Sequence, residues 1–138
     1  VSDAYNYLSA AKSVYRSLEE IYNDASEDSE IYKVVADIVG SEYGDLDISL
    51  KPGKRKKFFA SAITGDGVVN YITSLLGDMK RVYMIDSPVG YSNSSFMEIV
   101  TEGAIYRGLD VEAYYCPMCP EEKIEHIVIP ELKTAFVT

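Results

Sequence analysis

Histidine, cysteine and basic residues are scarce in this chain, and each scarcity closes off a class of chemistry. The only histidine, His126, lies in the apolar run IEHIVIP, so no Ser-His-Asp arrangement is available and a packing role is expected. The only cysteines, Cys116 and Cys119, share one CPMC segment. A structural zinc takes about four ligands, and these three side chains are the only nitrogen or sulfur candidates. With no secretory context, a disulfide framework is not expected either. Pro117 and Pro120 fit a tight loop better than the helix start of a thioredoxin-type motif. Structural thiols are the expectation, with a redox pair or a metal site as the alternatives.

Lysine and arginine total 13 against 22 acids, a net charge of −9. Neutralising nucleic-acid phosphates needs a basic face, so general nucleic-acid binding is excluded. The one basic cluster is KPGKRKK, residues 51–57. It reads either as a solvated linker entering a strand or as a contact for phosphate or an acidic partner. No apolar run approaches the roughly 18 residues that cross a bilayer, so no membrane association is expected. No charged-then-apolar leader is visible, and a cytoplasmic location is the expectation. The first residue is Val1, and the last residues, ELKTAFVT, stop inside an apolar strand pattern. A piece of a longer protein is therefore expected, one domain or one domain with an appendage.

Two amphipathic helices open the chain. Ala4, Leu8, Ala11, Tyr15, Leu18 and Tyr22 form one stripe over residues 3–23. Ile31, Val34, Val35 and Ile38 share a face over residues 28–40. Together they predict a helical hairpin over residues 1–50. Beyond Pro52-Gly53 the pattern changes to strand 57–64, helix 68–79, strand 81–86, helix 94–106, strand 111–116, a short extended piece at 126–129 and strand 133–137. Alternation of this kind predicts an α/β domain over residues 51–138, a parallel sheet with flanking helices.

What the chain does have is RVYMIDSPVGYSNSSFMEIV, residues 81–100, which reads as strand, Gly/Ser-rich turn and helix. That is the setting of a phosphate-binding P-loop. Against G-x-x-x-x-G-K-[ST], Ser87 and Ser92 replace the glycines, Asn93 replaces the lysine, and Ser94 keeps the hydroxyl. Gly90, Ser92, Asn93, Ser94 and Ser95 would surround phosphates at a helix N-terminus, and Ser94 is the candidate Mg²⁺ ligand. Tyr91 would cap or block the site. Asn93 carries no charge; a charge-assisted hydrogen bond is worth about 1.5–3 kcal/mol, so affinity falls roughly 10- to 150-fold without it. Turnover suffers more, because that charge stabilises the transition state. Asp86 and Asp66 are the acids expected on the ligand edge, as turn formers or as Mg²⁺-side carboxylates. TAFVT ends in Thr138 where such loops expect an acidic strand end.

Several further segments carry a resemblance. Phe58-Phe59-Ala60, Thr64 to Gly67, the strand and loop 81–95, Arg107 to Glu112, Tyr115-Cys116 and Val128 to Leu132 resemble one repeat of a bacterial family of tandem-repeat P-loop ATPase-like proteins. AYNYLSAAKSVYRSLEEIY resembles the helical segment that joins its halves. The resemblance implies a partial P-loop NTPase-like sheet preceded by interdomain helices. It also implies a nucleotide-binding-like domain for ATP and Mg²⁺, with a degenerate Walker A and weak or absent hydrolysis. The alternative is a non-enzymatic interaction or structural module that keeps the scaffold. Expected partners are nucleotide and the remainder of a parent protein, or a second copy of the chain.

Overall fold

A computed structural model describes residues 2–25 and 28–138. Helices α1 (Ser2–Ala25) and α2 (Asp28–Tyr43) stand where the apolar stripes place them. In α2 the inward stripe is Ile31, Val35, Ile38, Val39 and Tyr43, the spacing of one helix face. Val34, expected inward, is exposed instead, because it lies one residue off that stripe.

Strand β1 (Arg55–Phe58) is followed by β2 (Ser61–Thr64), β3 (Gly67–Asn70), α3 (Ile72–Leu76), β4 (Arg81–Met84) and α4 (Ser94–Tyr106). Strands β5 (Val111–Tyr115), β6 (Ile124–Ile129) and β7 (Thr134–Val137) complete the chain, with a 3-10 turn at Pro130–Leu132. Two expectations are corrected here. The strand over 57–64 is two strands in different sheets, and most of the helix over 68–79 is replaced by β3 and the short α3. The cause is the turn Thr64-Gly65-Asp66-Gly67. Thr64 Oγ1 donates to the Gly67 carbonyl at 2.9 Å and accepts from the Asp66 amide at 3.2 Å. Gly67 takes the positive φ of 112° that reverses the chain, so Val68 and Val69 return against Ile63 and Ala62.

The main sheet is α/β as expected, but mixed, in the order β1-β5-β6-β7-β4. Strands β1, β5, β7 and β4 run one way and β6 alone runs against its neighbours. Residues 116–123 and 130–133 join β5 to β6 and β6 to β7. Such links are too short for a helical crossover, so each must turn back. One row of aligned residues crosses the whole sheet: Phe58, Tyr114, His126, Val137 and Met84.

Side chains alternate between two packed layers. Val111, Ala113, Tyr115, Ile127, Ile129 and Phe136 face α4 and α2, meeting Met97, Val100, Ala104, Val35 and Tyr43. Tyr114, Val128 and Ala135 face the other way, onto Ala60 and the α3 residues Ile72, Leu75 and Leu76. The buried Tyr43 hydroxyl donates to the Val100 carbonyl at 2.7 Å, joining α2 to α4. Glu42, one residue earlier, has a fully buried side chain that is satisfied from three directions. It accepts from the Tyr83 hydroxyl and from Thr134 Oγ1 at 3.1 Å, and pairs with Arg81 at 3.0 Å. The end of α2 is thereby fastened to β4 and β7. Among the described residues no helix is long and apolar enough to cross a membrane.

Candidate functional site

In an open α/β sheet the carboxyl ends of the parallel strands are where ligands are received. The chain leaves β4 at Asp86, β5 at Cys116 and β7 at Thr138, and all three border one cleft of about 330 Å³ roofed by α1. A second cleft of about 760 Å³ lies between α2, the end of β4 and the start of α4. Residues 85–88, Tyr91 and Asn93 line both, so the loop is a partition between them.

Gly90 is buried with φ +91°, and a Cβ there would stand 2.7 Å from Leu18 Cβ of α1. Backbone geometry and close approach both demand glycine. Tyr91 donates its amide to the Pro88 carbonyl at 3.0 Å, and its ring meets Tyr22 edge-on at 6.1 Å. Asn93 Nδ2 donates to Ser87 Oγ at 2.9 Å, tying the two ends of the loop together. Ser92 Oγ donates to Ser94 Oγ at 3.0 Å and accepts from the Ser94 amide at 3.4 Å. Ser95 is exposed in the second cleft. Asn93 is the N-cap of α4 but gives no side-chain cap; its Nδ2 donates to Ser87 instead. The loop residues expected to act together are divided by that partition: Gly90 borders the first cleft, Ser92 and Ser95 the second, Tyr91 and Asn93 both and Ser94 neither, with Asn93 spent on loop closure.

The acids divide. Asp86 is exposed and borders both clefts. Asp66 borders neither; it caps the β2–β3 hairpin, and Thr64 ends a strand outside the main sheet. The basic cluster is also elsewhere. Arg55 bridges Glu98 at 2.6 Å and Glu102 at 2.7 Å, Lys56 approaches Asp110, and Lys57 lies over the Tyr115 ring. None of its residues borders either cleft, as a solvated entry into β1 would have it.

Positive charge does reach the first cleft, from residues no local pattern singled out: Lys12 and Arg16 of α1 and Lys123 of the β5–β6 loop. Lys123 pairs with Glu19 at 2.9 Å, and Arg16 approaches Glu122 at 3.5 Å. Burial is the largest influence and opposes the Lys123 charge, but the hydrogen bond and charge of Glu19, with the charges of Cys116 and Glu125, together outweigh it and raise the ammonium pKa. These cations share the cleft with Glu19, Asp86 and Glu125, so its charge is mixed.

The two thiols line the same cleft. The Cys119 amide donates to the Cys116 carbonyl at 3.1 Å, closing the tight loop expected from the prolines. Burial, with a hydrogen bond to Glu125, pushes the Cys116 thiol pKa up, which keeps it protonated and a poor nucleophile. Among the described residues no group of three His, Cys, Asp or Glu side chains is arranged to hold a metal ion. His126 is buried and its pKa lowered by that burial. Nδ1 accepts from the Thr138 amide at 3.4 Å, while Nε2 has no partner among the described residues. No protein-family model, curated protein or solved structure matches this chain.

Proposed function

We propose that this chain is a P-loop-like module that binds a phosphorylated ligand of the nucleotide class and hydrolyses ATP weakly or not at all by itself. The observation that carries the reading is the run from β4 through a glycine-centred turn into the N-terminus of α4, at the carboxyl edge of four parallel strands. Amides at a helix start and the helix dipole favour an anion there. In this reading Gly90, Tyr91, Ser92, Asn93, Ser94 and Ser95 surround the phosphates. Their hydroxyls and amides, with Asp86 nearby, suit a Mg²⁺-bound phosphate; the Ser94 hydroxyl would ligate the ion that neutralises phosphate charge. Asn93 supplies no cation, and Thr138 stands at the end of β7, beside β4, where a carboxylate would otherwise help hold the metal. Binding without turnover follows from those two departures.

Calorimetry with Mg-ATP and Mg-ADP tests this, with Asn93→Lys as the positive control. The variant is expected to bind roughly 10- to 150-fold more tightly, the inverse of a lost charge-assisted bond. No binding by either form at millimolar nucleotide sinks the proposal. A specific contact favours the second reading, a scaffold that has become an interaction module: Leu18 and Tyr22 of α1 sit on Gly90 and Tyr91. Under that reading the variant gains no affinity, because the helix already fills the approach.

A further inference from the structure

Cys116 and Cys119 take no part in holding phosphate in the reading above, yet both line the first cleft. They are the chain's only cysteines, both are free thiols, and both are partly exposed. Pro117 and Met118 stand between them at the corner of a β-turn, closed by the bond from the Cys119 amide to the Cys116 carbonyl. Such a turn holds its first and fourth Cα atoms within about 7 Å, and a disulfide spans roughly 4.4–6.8 Å between the same atoms. The turn is also held from outside. The Cys116 amide donates to the Lys123 carbonyl at 2.9 Å, and the Lys123 amide donates to the Cys119 carbonyl at 3.1 Å. Both cysteine backbones are therefore pinned to one residue just before β6. The Cys116 sulfur lies over the turn, where the Met118 and Cys119 amides hydrogen-bond toward it, and its thiol reaches Glu125.

We propose that Cys116 and Cys119 are a reversible dithiol–disulfide site that exchanges with a low-molecular-weight disulfide entering the first cleft. Cys119 attacks first, because burial and the Glu125 bond keep Cys116 protonated. As a thiolate, Cys119 displaces one thiolate from the incoming disulfide and forms a mixed disulfide with the other half. Cys116 then releases its proton to solvent, and its sulfur attacks the Cys119 sulfur across the turn. The second thiolate leaves, and both departing thiolates take up protons. Two protein thiols are thereby oxidised by two electrons, and the external disulfide is reduced to two thiols. Excess thiol runs the same steps backwards. The turn supplies what the second step needs, a resolving thiol already beside the mixed disulfide. This site stands whether or not nucleotide binds at the loop.

The test equilibrates the whole chain near neutral pH in glutathione buffers of rising oxidised fraction, then quenches by alkylation and reads the intact mass. A single transition is expected, from two alkylatable thiols to none, with no adduct on the oxidised chain and full return in excess dithiothreitol. In urea the transition should shift to a larger oxidised fraction, because the turn no longer holds the sulfurs together. Cys116→Ser should accumulate a glutathione adduct at Cys119, having lost the thiol that displaces it. Cys119→Ser should take up glutathione more slowly, and circular dichroism should show both variants folded. Thiols that stay alkylatable at every ratio overturn the proposal. So do adducts on the unmodified chain that never close to a disulfide, disulfides between two chains, and closure as easy in urea as in the fold. Faster uptake by Cys119→Ser than by Cys116→Ser overturns the order of attack.

Discussion

Strands β5, β6 and β7 bury almost every side chain, whereas β1 and β4 each expose three of their four. The inner strands read VEAYY, IEHIVI and TAFV, and even their polar members are absorbed. Thr134 donates to Glu42 and His126 accepts from Thr138. The outer strands read RKKF and RVYM, and hold their place with one ladder each and a few long side chains. Burial on both faces demands apolar continuity, while an edge tolerates charge and uses it. The candidate site hangs from the outer set: its loop leaves β4, the less buried strand, and enters α4, whose inner face is packed in the core. A firm helix start and a loosely held strand end meet at Ser92 to Ser94.

The contrast is breakable by mutation. Phe136→Ala, at a fully buried ring stacked 4.9 Å from Tyr83, should cost about 3–5 kcal/mol in urea unfolding. Val82→Ala on β4 should stay within about 0.5 kcal/mol. Equal losses at the two positions would end the distinction between inner and outer strands. Gly90→Ala should cost about 1–3 kcal/mol, from positive φ together with the clash on Leu18. Gly65→Ala meets open space and serves as the control. Glu42→Gln should cost roughly 1–3 kcal/mol, since it weakens a buried carboxylate tie between α2 and the β4–β7 pair. A loss there that double-mutant analysis shows to be independent of Tyr83→Phe would mean the strands are not held through that bond.

The smallest expected effect concerns pH. Burial lowers the His126 pKa from 6.5, so the folded state prefers the neutral ring. Its stabilising share is complete above about 6.5 and is lost as pH falls from there toward the lowered folded value, with a slope of at most about 1.4 kcal/mol per pH unit. His126→Gln should flatten that part of the stability curve. An unchanged slope would place the titrating group elsewhere.

Much of this division was legible in the sequence, and the exceptions are physical. The limits of α4 agree with its 3.6-residue pattern, and β5 and β7 agree with their apolar runs to within a residue. The segment 68–79 misled because Val69, Ile72, Leu75 and Leu76 are spaced as on a helix, while a four-residue turn before them decided for a hairpin. The direction of β6 is not written in its own residues; it follows from the brevity of its two connections. At the site, the small residues of the loop were visible, but Leu18 against Gly90 and Glu19 with Lys123 join residues far apart in the chain. No local pattern announces such a contact. The basic run at 51–57 drew attention by composition alone, and its side chains are used along β1 and α4 instead.

The lone reversed strand has a consequence for how the chain folds. Because β6 turns back at both ends, residues 111–137 form a meander closed by residues 116–123 and 130–133 alone. Closing a short loop is fast and entropically cheap, whereas joining β1 to β5 or β4 to β7 must bring together segments some fifty residues apart. The meander should therefore assemble first, with α4 settling on it, and the outer strands should join last and open first. Hydrogen exchange on the native protein can read this order directly: amides of Ile127 and Phe136 should be the slowest, and the amides of β1 and β4 should open well below the global unfolding free energy. On that timetable, the candidate ligand loop is assembled only in the final step of folding, when β4 arrives.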